Sequence, residues 1–463
     1  MANKPLEIGE WHAGILFSGG EGAYAVAAVL SFESSRGVRL EIPHIGHGAD
    51  AQFTVVRGWF RSHTPPKSLV FSSGSHRLAL FGLRWGGYSE YGNVTSGVLF
   101  AEDAVAGTRV GDATDDLTLT ELQSQMDALY EWTAFRAANY ETVTDAEGFV
   151  RRIEASVETV DELSWKQGDA TLSLTTRWST DNSRPGLHVD EWTVLRSVFD
   201  EPRGVEDHMK EHVKVRLLLS ILYGAEVSFR RHDVVDERFH PRTLGGEIYS
   251  RSGQQLFTAR TFREASRPPM TEETLRKGVA ALPQIGKVGL ELWGAKFDQW
   301  KRFIHPAAGI LSRERAFLED RVVSLSMSLE AAGQLLGKAD GEEATYRGGR
   351  KPETMATYVF RCVASLDVDW ARAADSQVGI ARAVADNYRK IKHFDTGDDF
   401  PNGDETFLVS QVAAVVVRLL TANLVVPDGS LAQNWQTIVE DAFGWFETHA
   451  LRINDDGIFA MVE

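Results

Sequence analysis

The chain has 463 residues, 43% hydrophobic and 25% charged, the mixture of a folded globular protein long enough for two or three domains. Forty-nine Lys and Arg against 65 Asp and Glu leave a net charge of −16. A field of that sign excludes a histone-like or general DNA-coating protein, while leaving room for a local basic site. The single cysteine, Cys362, excludes an internal disulfide framework and a cysteine-rich zinc site, and fits a reducing compartment.

Met1 to Trp11 lacks the apolar stretch of a signal peptide. From Trp11 to about residue 110, short apolar or alternating runs alternate with Gly, Ser and Pro. Tyr24 to Leu30, Val38 to Ile42, Phe53 to Phe60, Arg77 to Leu83 and Val94 to Phe100 predict consecutive antiparallel strands. Gly19 to Gly22 and Gly86-Gly87 then read as turns. A capping box at Thr120 to Gln123, followed by Leu122, Met126, Leu129 and Tyr130 at helical spacing, predicts a helix. Strands return at Ala170 to Trp178 and Glu191 to Phe199. A helix from about Val205 to Tyr223 carries Met209, Val213, Leu217 and Ile221 on one stripe, with Gly224 as its stop. Residues 225–300 are mixed, with a helical pattern around Glu272 to Leu282.

Beyond about residue 300 strand signals nearly vanish. Helices are expected over Arg313 to Leu336, Pro352 to Leu366, Asp375 to His393 and Glu405 to Leu424, with loops at Gly337 to Lys351 and Asp395 to Asp404. The longest aliphatic runs, such as Val412 to Val417, fall far short of the roughly 20 residues that cross a bilayer. A soluble, cytoplasmic protein without a membrane partner follows as the expectation. The fold class is α+β and multidomain: a β-rich N-terminal region with interspersed helices, residues 1–300, then an antiparallel helical bundle, residues 305–450.

Several constellations bear on chemistry. Arg382, Asp386, Arg389 and His393 share one stripe of the third bundle helix, while Asn387 sits on the neighbouring apolar stripe with Ile380, Val384 and Ile391. Lys390 and Lys392 complete a short basic patch. A histidine that moves protons near neutral pH beside a fixed guanidinium suits phosphodiester transfer in RNA. The same residues also read as ion pairs on a solvated face with a cation at the helix end. His208-Met-Lys-Glu-His212 matches an inverted zincin pattern, or else an ordinary surface helix. Gly19-Gly-Glu-Gly22 lacks the Lys-Ser/Thr of a P-loop, His44 and His47 lack a further ligand, and Cys362 lies in an apolar helix.

In its order of segments the chain resembles the ApeA-type abortive-infection proteins of bacteria, in which a β-rich N-terminal domain precedes a C-terminal HEPN helical domain. The resemblance rests on Gly9-Glu-Trp-His-Ala-Gly-Ile-Leu-Phe17, on Tyr130-Glu-Trp-Thr133, on Val205 to Gly224, on Ser328-Leu-Glu330 and on Asn387-Tyr-Arg-Lys-Ile-Lys-His393-Phe-Asp395. It implies an antiphage protein whose HEPN domain cuts structured RNA such as tRNA without metal or other cofactor. The N-terminal domain would then respond to a phage-derived trigger. His393 would be the catalytic histidine, Arg389 or Arg382 would stabilise charge on phosphate, and Asn387, Lys390 and Lys392 would help bind RNA, commonly across a dimer. The family places four to six residues between its Arg and its His, where this chain has Tyr388, Asn387 and Asp386, and Arg389 has only three residues between it and His393. Either Arg389 reaches the phosphate from one turn back, or the bundle is a non-catalytic module for dimerisation or for binding RNA or a partner.

Overall fold

The computed structural model describes residues 9–17, 25–33, 36–45, 51–74, 76–92, 94–107, 116–158, 162–181, 188–243, 245–348, 352–393, 400–426 and 435–462. The chain is β-rich in its N-terminal half and helical in its C-terminal half, an α+β multidomain protein. It divides into two compact units, and neither is continuous in sequence. The first comprises residues 1–127, 169–212 and 228–269, and the second 128–168, 213–227 and 270–463.

The elements begin with β1 (Trp11–Phe17), β2 (Ala25–Glu33), β3 (Gly37–Ile45), α1 (Ala51–Ser62), β4 (Ser68–Ser72), β5 (Arg77–Phe81), β6 (Arg84–Tyr91), β7 (Val94–Ala101), β8 (Asp103–Ala106) and β9 (Thr118–Met126). Next come α2 (Leu129–Thr133), β10 (Ala138–Thr144), β11 (Val150–Val157), β12 (Leu163–Gln167), β13 (Ala170–Asp181), β14 (His188–Gly204), α3 (Val205–Tyr223), β15 (Phe229–Val234) and β16 (Gln254–Thr258). Strands of the first unit lie in one sheet in the order β13-β14-β9-β15-β16-β8-β5-β4-β1-β2-β3-β7-β6. Leu16, Leu30, Phe32, Leu40, Val56, Phe60, Phe71 and Leu80 are among its buried core residues.

Three expectations are corrected here. Phe53 to Phe60 is not a strand but lies within α1. Its β-branched residues invited the strand reading, yet the buried Val56, Trp59 and Phe60 recur at i, i+3 and i+4, the period of a helix. Thr120 to Gln123 is not a helix cap but part of β9, which pairs antiparallel with both β14 and β15. Ladder bonds on both edges of a central strand outweigh a local capping motif. Gly86-Gly87 is not a hairpin turn, because it falls inside β6, where the register against β7 shifts between Trp85 and Gly87, a bulge. Gly19 to Gly22 lies outside the described residues.

Helix α4 (Phe262–Ala265) closes the first unit, and the second runs on through α5 (Glu272–Leu275), α6 (Leu282–Leu311), α7 (Leu318–Leu336), α8 (Met355–Ala364), α9 (Gln377–Lys392), α10 (Gly403–Val425), α11 (Trp435–Thr448), β17 (Leu451–Ile453) and β18 (Phe459–Met461). Helix α3 ends, as its sequence predicts, at Gly224, whose φ of 66° is left-handed. Helix α6 was hidden by Gly286, Gly289, Gly294 and Pro306, but Leu290, Trp293, Phe297, Trp300 and Ile304 are buried at helical spacing. Helix α7 packs against α6, α8, α9 and α10. At Gly333 a Cβ would lie 2.2 Å from the Tyr358 carbonyl oxygen, so only glycine lets α7 and α8 approach this closely. Helix α10 is long and apolar enough to cross a membrane, but 83% of its apolar window is buried inside the protein, as in a core helix. Cys362 is buried in α8, where its thiol donates to the Leu329 carbonyl, and burial pushes its pKa up.

Candidate functional site

The C-terminal turn of α9 carries most of the residues singled out by sequence. Ser376 caps the helix start by accepting from Gly379 N–H at 3.1 Å, and Ile380, Ala383, Val384 and Asn387 fix its buried face. That orientation leaves Arg389, Lys392 and His393 exposed. His393 is the C-cap residue, its backbone N–H donating to Arg389 O at 2.9 Å.

Arg389 and His393 therefore occupy one helix end, with the arginine one turn earlier. Arg389 is held by an ion pair with Asp386 at 3.3 Å, and Asp386 also receives Arg347 at 3.4 Å. Both are surface contacts that restrain the guanidinium weakly. Lys392 donates to the Tyr388 hydroxyl at 2.8 Å, which raises its pKa, and Glu330 of α7 is within electrostatic reach. So Glu330, Lys392 and Tyr388 belong to the same neighbourhood. Lys390 is half-buried on the same turn.

Two further residues of α9 serve elsewhere. Arg382 donates to the carbonyls of Asp455 and Ala344 at 2.9 and 2.8 Å and pairs with Asp456 at 3.1 Å, fastening α9 to the turn between β17 and β18. Asn387 is buried and donates through Nδ2 to Thr406 Oγ1 at 3.3 Å, while its Oδ1 has no hydrogen-bond partner among the described residues. An amide kept on an apolar face, half satisfied, is costly unless it positions something.

The histidine pair of α3 has another role. His208 uses both ring nitrogens, Nδ1 at 2.8 Å from Ser197 Oγ and Nε2 at 3.0 Å from Leu119 O. His212 Nδ1 lies 2.6 Å from Ser124 Oγ, which also lies 2.7 Å from His232 Nδ1, and His232 Nε2 is 2.7 Å from Thr261 Oγ1. Since one hydroxyl proton cannot serve two ring nitrogens, at least one of His212 and His232 carries its proton on Nδ1. Burial pushes the pKa of His208 down and that of His212 well below its usual value, with the neighbouring histidines adding to the effect on His212. Burial thus disfavours the charged form of His208 and His212, and His208 has both ring nitrogens engaged, a poor start for zinc ligation by the pair. Among the described residues no group of three or more His, Cys, Asp or Glu side chains could hold a metal ion. Sequence reasoning saw the His208–His212 spacing but not Ser124, Ser197 or His232, because their partnership is set by strand register far away in the chain.

His44 lies in β3 and is buried, its Nδ1 3.1 Å from Ile42 O, whereas His47 lies outside the described residues.

A comparison with curated proteins and with solved structures gives no match. Residues 7–234 match the family model of ApeA N-terminal domain 1. The matched residues span strands β1 to β15, so this β-rich stretch is similar to an ApeA-type N-terminal domain.

Proposed function

We propose that the protein is an antiphage abortive-infection factor acting in the cytoplasm. Its helical region would work as a metal-independent endoribonuclease of the HEPN type on structured RNA such as tRNA. The observation that carries the reading is the match of residues 7–234 to the ApeA N-terminal domain, followed in the same chain by a helical region. The end of α9 supports it, with an exposed His393 one turn beyond Arg389. In this reading a ribose 2′-hydroxyl attacks the adjacent phosphorus and the 5′-oxygen leaves. His393 moves the proton, Arg389 meets the charge growing on the phosphoryl oxygens, and Lys390 and Lys392 hold the backbone. A second protomer would supply the matching His393, and the N-terminal domain would restrain cutting until a phage-derived trigger arrives.

The second reading, a non-catalytic bundle for dimerisation or RNA binding, draws on the pairing of Arg389 with Asp386 and on the engagement of Arg382 by backbone carbonyls. RNA integrity after inducible expression, with and without phage infection, separates the two. At equal soluble yield the native protein should produce discrete fragments, and His393→Ala should reduce cutting by about 100-fold or more. Phage protection without fragments from either protein would reject the nuclease.

A further inference from the structure

Within the helical unit, a cavity of about 180 Å³ is lined by Lys277, Arg321, Gln411, Arg418, Asp441 and Trp445, among others. Its charge is unusual for an acidic protein. Three cations face it against one carboxylate, and that carboxylate, Asp441, is more than half exposed and lies 4.0 Å from Lys277. Lys277 is further engaged by Glu273 at 3.0 Å.

The two arginines are not engaged in this way. Arg418, on the otherwise apolar α10, donates to the carbonyls of Leu222, at 2.9 Å, and Lys277, capping the end of α3. Its Nε is sealed from solvent without a partner. Arg321, in the first turns of α7, has no ion pair or hydrogen bond to its guanidinium among the described residues, and its Nε is likewise buried and unpaired. Burial and the Arg321 charge together pull the pKa of Arg418 down to about 10. Two guanidinium groups sharing a cavity whose single carboxylate, Asp441, is more than half exposed repel each other and lose hydration, a cost that Asp441 offsets only in part for Arg418. A doubly charged oxyanion removes both penalties, since guanidinium forks match phosphate oxygens and the Gln411 amide adds a donor.

The volume accommodates a small anionic group rather than a whole drug-sized ligand. Trp445 lies at the cavity wall with 44% of its surface exposed, which offers a face for a flat ring attached to that group. We infer that this cavity binds the phosphate of a nucleoside monophosphate between Arg321 and Arg418, with the base against Trp445. Such a site lies apart from α9 and does not depend on whether the protein cuts RNA.

The test is calorimetric titration of the full chain with inorganic phosphate, AMP, adenosine and a 5′-phosphorylated RNA oligonucleotide. AMP should bind with a Kd below about 1 mM and more tightly than inorganic phosphate, and adenosine should not bind. Arg321→Met should weaken AMP at least about tenfold, and Arg321→Lys should weaken it less. Because Arg321 anchors no backbone group, the ligand-free Arg321→Met protein should melt at the native temperature or above it, and AMP should no longer raise that temperature. The site is refuted by absence of AMP binding, by AMP binding that Arg321→Met leaves unchanged, or by a ligand-free Arg321→Met protein that melts lower. An oligonucleotide that outcompetes AMP would overturn the free nucleotide in favour of an RNA end.

Discussion

Two buried polar networks, one in each unit, are built in opposite ways. In the sheet unit, His208, His212 and His232 hydrogen-bond to the hydroxyls of Ser124, Ser197 and Thr261, and burial disfavours the charged form of His208 and His212. In the helical unit the corresponding network is an ion pair. Glu342 is fully buried and receives Arg361 at 2.6 and 2.9 Å, while Arg361 also reaches Glu353 at 2.9 Å. The Arg361 guanidinium holds the Glu342 carboxyl down at about 2, with help from the Tyr346 hydroxyl and the Ala339 N–H. A neutral network is stable only while its members stay uncharged, whereas an ion pair fails only when its carboxylate is protonated. Acid should therefore reach the two interiors at different pH.

The largest effect is expected from Glu342→Ala, which strands Arg361 in the core and should cost the helical unit about 3–5 kcal/mol by denaturant titration. Replacing both partners by apolar residues should restore most of that loss. If the single and double variants fall equally, the pair is not what holds the segment. Ser124→Ala is the corresponding break in the sheet unit. It removes the shared partner of two histidines and should cost about 1–3 kcal/mol. Gly333→Ala, which drives a methyl group against the Tyr358 carbonyl, should cost about 1–3 kcal/mol in the helical unit and nothing in the sheet unit.

Acid titration followed by hydrogen exchange sharpens the contrast. An unfolded histidine takes up a proton below about pH 6.5. His208 and His212 resist it in the folded state, so their contribution is complete above that value and is lost as the pH falls. Asp103 works against this, because burial lifts its carboxyl to about 6, and its protonation favours the folded state as the pH falls towards its ordinary value of 3.8. Glu342 contributes fully above 4.5, and that contribution is lost as the pH falls through about 2. Amides of β9 and β14 should lose protection first and those of α7 and α8 later. Simultaneous loss would contradict the distinction. The smallest effect on stability is expected from Arg389→Ala, under about 0.5 kcal/mol, since Arg389 is exposed and its partner Asp386 is only half-buried. A fall in RNA cleavage without a fall in stability would place Arg389 in the chemistry.

Local periodicity made much of this legible. Helices α3, α7, α8, α9 and α10 and strands β2, β3, β5, β7, β13 and β14 were all anticipated within a few residues. Each carries an unbroken apolar stripe or alternation of its own. What escaped depends on partners distant in sequence. β9 is a strand because β14 and β15 flank it, and α6, kinked at Gly286, stays helical through Gly289, Gly294 and Pro306 because its aromatic stripe finds a core. Glu342 sat in a segment that read as a polar loop, and nothing in its neighbours announces Arg361. The stripe on α9 was visible as spacing, but Arg382 is drawn to the β17–β18 turn and Asn387 into the interior, destinations set by other elements.

The interleaving of the two units has a consequence for the order of synthesis. The sheet unit has its last segment once residue 269 has emerged, and can close then. Residues 128–168 and 213–227 are made earlier but belong with helices that come later. Trp132, whose indole donates to Ala280 O, and Lys214, whose carbonyl receives the Trp293 indole, must wait for their partners on the nascent chain. The turn that bears Arg389 and His393 comes later still, so whatever α9 does, the sheet unit has had its chance to form before the ribosome releases it.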